Sequence, residues 1–459
     1  MPADLSEAHS SEAQAFLDAH PEIQFVEVFF TSMTGVPRGK RLRRHELLPI
    51  YEYGRFLPGS ILVCDTRGAD VEETGLVFGD GDADRRGMPV PGTLVPAPWL
   101  GDDVAQVMLS LHELDGTPID LDPRHVLQRV LDRYEADGLT PVVACELEYY
   151  LVDIERGPAG ELRPARANTT RDIPAGVEVY GLPEIEAQAG FFRRLWAAAD
   201  AQNIPLEGVI SENAPGQVEL TLKHKPDALR AADEAVMYKR AAKGVALGAG
   251  CEATFMAKPW ADQAGSGFHV HVSVADTAGT NLCASDDPAG SDLLRHMIGG
   301  MKAHMADCMA ILAPGANSYK RFKANSYAPT TATWGVNNRT VSLRVTAGPA
   351  KTRHVEHRVA GADANPYLVL AAILACAHHG ITNCLDPGAP VTGNGYVASG
   401  EKLPTNWYAA VDRFDASEVL RDYLGARFVD MYACVKRVEQ ARFLEEVTSL
   451  DYDWYLRNA

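Results

Sequence analysis

Two glutamates stand two residues apart in the apolar run Val142-Val143-Ala144-Cys145-Glu146-Leu147-Glu148-Tyr149-Tyr150-Leu151. On a strand such residues share a face about 7 Å apart, so the run predicts paired carboxylates in need of cations. An exposed edge face would explain one such strand, but the pattern recurs. In Gln217-Val218-Glu219-Leu220-Thr221-Leu222 the polar residues share one parity, with Glu212 a loop upstream. Phe268-His269-Val270-His271-Val272-Ser273-Val274 alternates throughout, and His354, Glu356 and Arg358 share a parity in His354-Val355-Glu356-His357-Arg358. Together these segments offer five glutamates (146, 148, 212, 219 and 356) and His269. Carboxylate oxygens with one imidazole suit Mg²⁺ or Mn²⁺ better than Zn²⁺, which draws more His or Cys. Six such ligands suffice for two or three ions.

Arginines supply the complementary charge. Arg321, Arg339 and Arg344 fall among residues that read as buried, in Asn317-Ser318-Tyr319-Lys320-Arg321-Phe322 and Trp334-Gly335-Val336-Asn337-Asn338-Arg339-Thr340-Val341-Ser342-Leu343-Arg344. Guanidinium groups bind phosphate and carboxylate through paired hydrogen bonds, and with divalent ions they suggest phosphoryl transfer from a nucleotide. The usual nucleotide motifs are absent. Gly35-Val36-Pro37-Arg38-Gly39-Lys40 is one residue short of a P-loop and continues with Arg41. Gly393-Asn394-Gly395-Tyr396-Val397-Ala398 follows Asp386-Pro387-Gly388-Ala389-Pro390, where a dinucleotide fingerprint requires a strand.

The elements that must position these groups form a mixed α and β chain. A polar helical lead-in over residues 1 to about 20 precedes a strand at Ile23 to Phe30, and a turn follows it. Residues 75 to 101, rich in Gly, Pro and Asp, read as a long ordered loop or a segment folded over something. Val104 to Leu109 is strand-like, and Asp122-Pro123 opens an amphipathic helix over Arg124 to Ala136. A domain boundary falls near 116, giving a small domain over 1–115 and a large mixed one over 116–459.

With 459 residues the chain buries enough surface to fold without disulfides or structural metal. Its 43 Lys and Arg against 61 Asp and Glu give a net charge of −18, which excludes polynucleotide binding as an expectation and favours cationic partners. The eight scattered cysteines read as reduced, buried thiols. Met1 to Gln14 carries acids and no Lys or Arg, so no signal peptide is expected. The longest apolar stretch, Leu368 to Ala377, is too short to span a bilayer. A cytoplasmic protein without membrane partners is expected.

Several motifs taken together resemble the glutamine synthetase family over nearly the whole chain. They are Glu146-Leu147-Glu148, Glu212 with Pro215-Gly216-Gln217-Val218-Glu219, Gly265-Ser266-Gly267-Phe268-His269-Val270-His271, Asn317-Ser318-Tyr319-Lys320-Arg321, Asn338-Arg339, and Glu356-His357-Arg358 leading to Ala364-Asn365-Pro366-Tyr367. The resemblance implies an α+β fold, in which a β-grasp N-terminal domain joins a catalytic domain built on a curved antiparallel sheet. It also implies a homo-oligomer, usually a dodecamer of two hexameric rings with active sites between subunits.

Carried over residue by residue, the resemblance makes Glu148, Glu212 and Glu219 ligands of one metal ion, and Glu146, His269 and Glu356 ligands of another. Gly265, Arg321 and Arg358 would hold L-glutamate. Glu207, His271, Ser273, Arg339, Arg344 and Lys351 would line the ATP site, with Arg339 nearest the transferred phosphoryl group. The implied chemistry is attack of the γ-carboxylate of glutamate on ATP, followed by capture of γ-glutamyl phosphate by an amine.

Departures point away from ammonia as the nitrogen donor. Ammonia-using members carry an acidic Asp-Gly-Ser-Ser motif where Leu57-Pro58-Gly59-Ser60 stands, and a flap glutamate before Ala-Pro where Tyr327 precedes Ala328-Pro329. His354 replaces an arginine near the phosphates. The chain is most similar to the branch that joins glutamate to organic amines, particularly the γ-glutamylputrescine synthetases. Its carrying stretches include Val36 to Arg41, Val71 to Leu76, Pro89 to Leu94, Thr254 to Pro259 and Val359 to Tyr367. The expected amine is putrescine or a longer polyamine, with Pro58 and Tyr327 shaping its pocket. Methylamine, ethanolamine, isopropylamine and aromatic amines are alternatives. Two rival readings are a metal-dependent amidohydrolase barrel, suggested by His269-Val270-His271 but short of further His at strand ends, and a non-catalytic relative, which should have lost metal ligands.

Overall fold

A computed structural model of the chain describes residues 3–167, 172, 176 and 179–459, with side chains from residue 11 onward. The lead-in is a helix over Ala3–Ala19; residues 1 and 2 lie outside the described residues.

Six strands form the N-terminal sheet: β1 (Phe25–Thr31), β2 (Pro37–Arg43), β3 (Arg55–Pro58), β4 (Asp84–Pro89), β5 (Val95–Pro96) and β6 (Val104–His112). Their order is β2-β1-β6-β4-β3, with β5 also on β6, and β1 runs parallel to β6. Four of these strands, β2 to β5, escape the sequence reading. The 75–101 segment is no loop throughout, because it supplies β4 and β5. Both are short, end at prolines and lack apolar alternation. Edge strand β2 buries only Leu42. Its Gly39 pairs with Phe29, and a Cβ there would collide with the Val28 carbonyl, so this glycine serves cross-strand packing and the P-loop-like string is a strand.

The larger sheet contains β7 (Leu139–Asp153), β8 (Leu206–Ser211), β9 (Gln217–Leu222), β10 (Cys251–Thr254), β11 (Phe268–Asp276), β13 (Trp334–Val336), β14 (Leu343–Val345) and β15 (Val355–His357), while β12 (Thr331–Ala332) pairs with β16 (Glu401–Lys402) apart from it. The order is β13-β14-β15-β11-β7-β9-β8, antiparallel except for β13 with β14, and β10 pairs with the far end of β7.

Period-two alternation divides β7 sharply. Val143, Cys145, Leu147 and Tyr149 are buried beneath helices Pro123–Ala136 and Ala228–Gly248, where Tyr149 meets Tyr238 edge-on, while Glu146 and Glu148 face the other way. Asp122 caps the first of these helices by accepting from the Arg124 amide at 2.9 Å, with Pro123 at its first position, as the sequence predicts. The apolar run Leu368 to Ala377 lies in the buried helix Pro366–Thr382, and among the described residues no helix is long and apolar enough to cross a membrane.

The eight cysteines are unpaired, in agreement with the sequence. Six are buried, but Cys434 is half-buried and Cys384 exposed, since Cys384 follows the last turn of Pro366–Thr382 at the surface.

Candidate active site

Strand register brings the polar parities together. His269 lies opposite Glu146, and Glu148 opposite Glu219. Glu356 is flanked by His271 on one side and Arg344 on the other. Five strands thereby present one row of charged side chains. His269 Nδ1 is 2.6 Å from Glu146 Oε1 and 3.7 Å from Glu356 Oε1, and its Nε2 is 3.7 Å from Glu148 Oε1. Two sets of candidate ligands result, Glu146 with His269 and Glu356, and Glu148 with Glu219 and His269, each with ligand atoms within 4.8 Å of one another. His269 belongs to both. Glu212 was expected with Glu148 and Glu219; it lines the same cavity as they do without joining either close set.

Electrostatics fit a cation at this place. Burial, with the charges of Glu146 and Glu148, pushes the Glu219 carboxyl up to about 11. Burial and the Glu148 charge push Glu212 up to about 7. Burial also opposes ionisation of Glu146, but hydrogen bonds with His269 and His271 outweigh it and hold this carboxyl well below its usual range. At Glu356 burial is likewise outweighed, chiefly by Arg358, which is hydrogen-bonded to it. Protein cations therefore satisfy one side of the cluster and leave Glu219 and Glu212 uncompensated. Oxygen donors with one imidazole fit a hard divalent ion there.

Cavities open on both sides of the cluster. The first, of about 480 Å³, is bounded by Glu146 and by four of the residues expected at ATP: Glu207, His271, Ser273 and Lys351. His224 and His354 also line it. His354 Nε2 is 3.0 Å from His271 Nδ1, and burial together with that neighbour lowers its pKa. The second, of about 430 Å³, is bounded by Glu148, Glu212, Glu219 and His269 and by the expected glutamate ligands Gly265, Arg321 and Arg358.

Three expected residues fall elsewhere. Arg339, assigned to ATP, lines the second cavity, exposed on the turn after β13. Arg344 lines neither; its Nη1 donates to Glu356 Oε2 at 3.0 Å and its Nη2 to Asn337 Oδ1 at 3.3 Å. Pro58 sits in edge strand β3 opposite Asp84 and lines neither cavity within the single chain.

Tyr327 does line the second cavity, as does Tyr180, which sequence reasoning missed. Both are more than half exposed (54% and 61%), and both hold positive φ (58° and 59°), uncommon for a residue with a side chain. Tyr180 ends the run Val177-Glu178-Val179-Tyr180, too short to mark a strand, so the only usable signal was its position beside Gly181. Such backbone geometry persists where surrounding structure enforces it, and it clusters at binding sites.

Residues 120–455 match the family model "Glutamine synthetase, catalytic domain". The chain belongs to the glutamine synthetase family. Among curated members it is 39% identical to gamma-glutamylputrescine synthetase PuuA of Escherichia coli (strain K12), across 98% of this chain and 96% of that one. It is 32% identical to glutamate–isopropylamine ligase of a Pseudomonas species, across 92% of each. Among solved structures, the one titled "GmaS/ADP complex-Conformation 1" superimposes with a TM-score of 0.83 at 28% identity, covering 97% of this chain and 99% of that one. This glutamine synthetase family member is an ATP-dependent glutamate–amine ligase working with divalent metal ions. The amidohydrolase and non-catalytic readings fall.

Proposed function

We propose that the enzyme joins the γ-carboxyl group of L-glutamate to an alkyl primary amine, putrescine or a longer polyamine before smaller amines. The observation that carries this reading is the position of the carboxylate cluster between two cavities, one edged by Glu207, His271, Ser273 and Lys351 and the other by Gly265, Arg321, Arg358 and the tyrosine pair. In this arrangement ATP occupies the first cavity with its phosphates toward the cluster, and glutamate lies in the second.

Glu146, Glu148, Glu212, Glu219, His269 and Glu356 would hold two or three Mg²⁺ or Mn²⁺ ions, which screen the phosphate charges when bound. Arg321 and Arg358 hold the glutamate carboxylate groups in reach of the nucleotide. Arg339, exposed at the cavity wall, is placed to contact the phosphoryl group as it transfers, where a guanidinium stabilises spreading negative charge. The amine then displaces phosphate from γ-glutamyl phosphate.

Tyr180 and Tyr327 favour an organic amine over ammonia. Aromatic faces attract alkylammonium groups by cation–π interaction and contact the chain beyond the nitrogen. Pro58 would reach a cavity only from another subunit, in keeping with a ring assembly, dodecameric in the proposed form.

Phosphate release with ATP, Mg²⁺ and glutamate across a panel of ammonium, methylamine, ethanolamine, isopropylamine, an aromatic amine, putrescine and spermidine tests the proposal. Stimulation greatest with putrescine or spermidine is expected. Stimulation by ammonium alone would sink it.

A further inference from the structure

The stretch Val359 to Tyr367 contains an acid, Asp363, that the proposed chemistry leaves without a task. Its carboxyl does not bound the second cavity; the residue lines a separate one with Gly315 and Asn317. Asp363 Oδ2 accepts a hydrogen bond from Ser318 Oγ at 2.6 Å. Ser318 is fully buried and opens the single 3-10 turn Ser318–Arg321, whose last residue is Arg321. The same hydroxyl accepts from the Gly315 amide at 3.2 Å, and the Ser318 amide donates to the Gly315 carbonyl at 3.0 Å, which closes the start of the turn.

The turn's other anchors hold its backbone rather than its guanidinium. Asn317 exchanges two 2.9 Å hydrogen bonds with the Lys258 backbone. Arg321 itself is 4% exposed and makes no ion pair among the described residues; its guanidinium makes one hydrogen bond there, from Nη1 to the Val359 carbonyl at 3.1 Å, while its carbonyl accepts from Ser326 Oγ at 3.1 Å. The remaining oxygen of Asp363 comes close to this guanidinium, since both would crowd a Cβ placed on Gly361. Asp363 Oδ1 has no hydrogen-bond partner among the described residues. The segment carrying Asp363 is in turn fixed from the opposite side, where Lys239 Nζ donates to the Ala362 carbonyl at 2.7 Å and the Ala362 amide donates to Ser266 at 3.1 Å. A rigid segment beside Gly265 and Gly267 thus grips the turn that carries Arg321.

We infer that Asp363 is a positioning residue for glutamate binding: through Ser318 it holds the Ser318–Arg321 turn so that the Arg321 guanidinium faces the second cavity. The inference rests on the reading that Arg321 holds glutamate, and a control separates the two. A buried hydrogen bond to a carboxylate is among the stronger polar contacts, and a small shift of a binding guanidinium is costly to its ligand.

The test measures KM for glutamate and for ATP, and kcat, in Asp363→Ala, Asp363→Asn, Ser318→Ala and the double variant Ser318→Ala with Asp363→Ala. Asp363→Ala and Ser318→Ala are each expected to raise the glutamate KM on the order of ten-fold, with the ATP KM within two-fold. Asp363→Asn still offers an acceptor to Ser318 and should recover most of the loss. The double variant should be no worse than the poorer single one, because both remove one contact. A merely structural role would raise both KM values together and show additive loss, and that outcome overturns the inference. Should Asp363→Ala fail to fold, Ser318→Ala, which removes only a hydroxyl, carries the test. Arg321→Lys is the control. If it leaves the glutamate KM unchanged, the reading of Arg321 fails and the inference with it. If it raises that KM while the Ser318 and Asp363 variants do not, the inference alone fails.

Discussion

The cavities on either side of the carboxylate cluster draw their walls from different kinds of structure. Glu146, Glu207, His271 and Ser273 reach the first from strands β7, β8 and β11. The second takes Tyr180, Asn213, Gly265, Tyr327 and Arg339 from turns and loops, two of them tyrosines with left-handed backbone. Strands paired on both sides hold a side chain to one face and resist change. Loops tolerate substitution while a rigid scaffold keeps their ends in place. The difference assigns most of the metal and nucleotide contacts to the sheet and the choice of amine to loop residues such as Tyr180 and Tyr327, and variants can test that division.

The severest test removes His269, whose two ring nitrogens serve both ligand sets. Changing groups that merely support a metal ligand costs roughly 10 to 100-fold, so His269→Ala should lower turnover by more than about 100-fold. Mn²⁺ titration of the same variant should show weakened binding. Turnover within ten-fold of the parent would break the assignment of the cluster as the metal centre.

Next come the loop tyrosines. Cation–π attraction at a partly exposed site contributes about 0.5 to 1 kcal/mol, and contact with the alkyl chain adds to it. Tyr327→Ala and Tyr180→Ala should each raise the amine KM about five-fold and leave the ATP KM alone. Tyr327→Glu should move preference toward smaller, more strongly hydrated amines. Steady-state kinetics over the amine panel decides it. An equal rise in both KM values would erase the contrast between the two cavities.

That contrast also marks how far the sequence could be read. Period-two alternation exposes Glu146, Glu148, Glu219, His269 and His271, because strands with one apolar face write their geometry directly into residue order. The cross-strand register that makes His269 common to both sets is a long-range property that no single segment contains. Edge strands β2 and β4 bury too little to leave an apolar signature. Tyr180 owes its place to a backbone conformation fixed by its surroundings, including the hydrogen bond from its amide to the Ser211 carbonyl at 2.9 Å. Asp363 became visible only through Ser318, 45 positions away in the chain.

A gentler probe uses pH. In the metal-free protein Glu212, with a pKa of about 7 against an ordinary 4.5, keeps its proton where the unfolded chain has lost it. The native state then binds more protons, so this group's contribution to stability declines as pH rises from about 4.5 through 7. Glu219, at about 11, extends the same sign to higher pH. Glu146 and Glu356, both held low, act oppositely and only in the acid range below their ordinary value. Histidines held neutral by burial, such as His357, act with the opposite sign in this window, so thermal unfolding with chelator should isolate the glutamate by comparison: Glu212→Gln should gain Tm relative to the parent as pH rises from about 5 to 7. Metal binding must displace those protons, so added Mg²⁺ or Mn²⁺ should raise Tm more at pH 7.5 than at pH 5.5. Calorimetry in two buffers of different ionisation enthalpy should detect proton release. An uptake of protons would contradict the cluster's role.

The smallest expected effect concerns His354, which lines the first cavity against His271. Burial, the His271 charge and the Arg344 charge all disfavour its protonation, so this wall presents a neutral ring near neutral pH. A cation at the same position would add attraction for the nucleotide's phosphates. Its energy would be limited because Lys351 and any bound metal ions already offset their charge. His354→Arg should accordingly lower the ATP KM by only about two- to three-fold, the worth of roughly half a kcal/mol for one partly screened pair. The glutamate and amine KM values should stay fixed, since those ligands lie across the cluster. Should the arginine instead alter amine preference, the two cavities would be coupled through the His271 and Glu146 contacts, and the sheet would be shaping substrate choice as well as the shared chemistry.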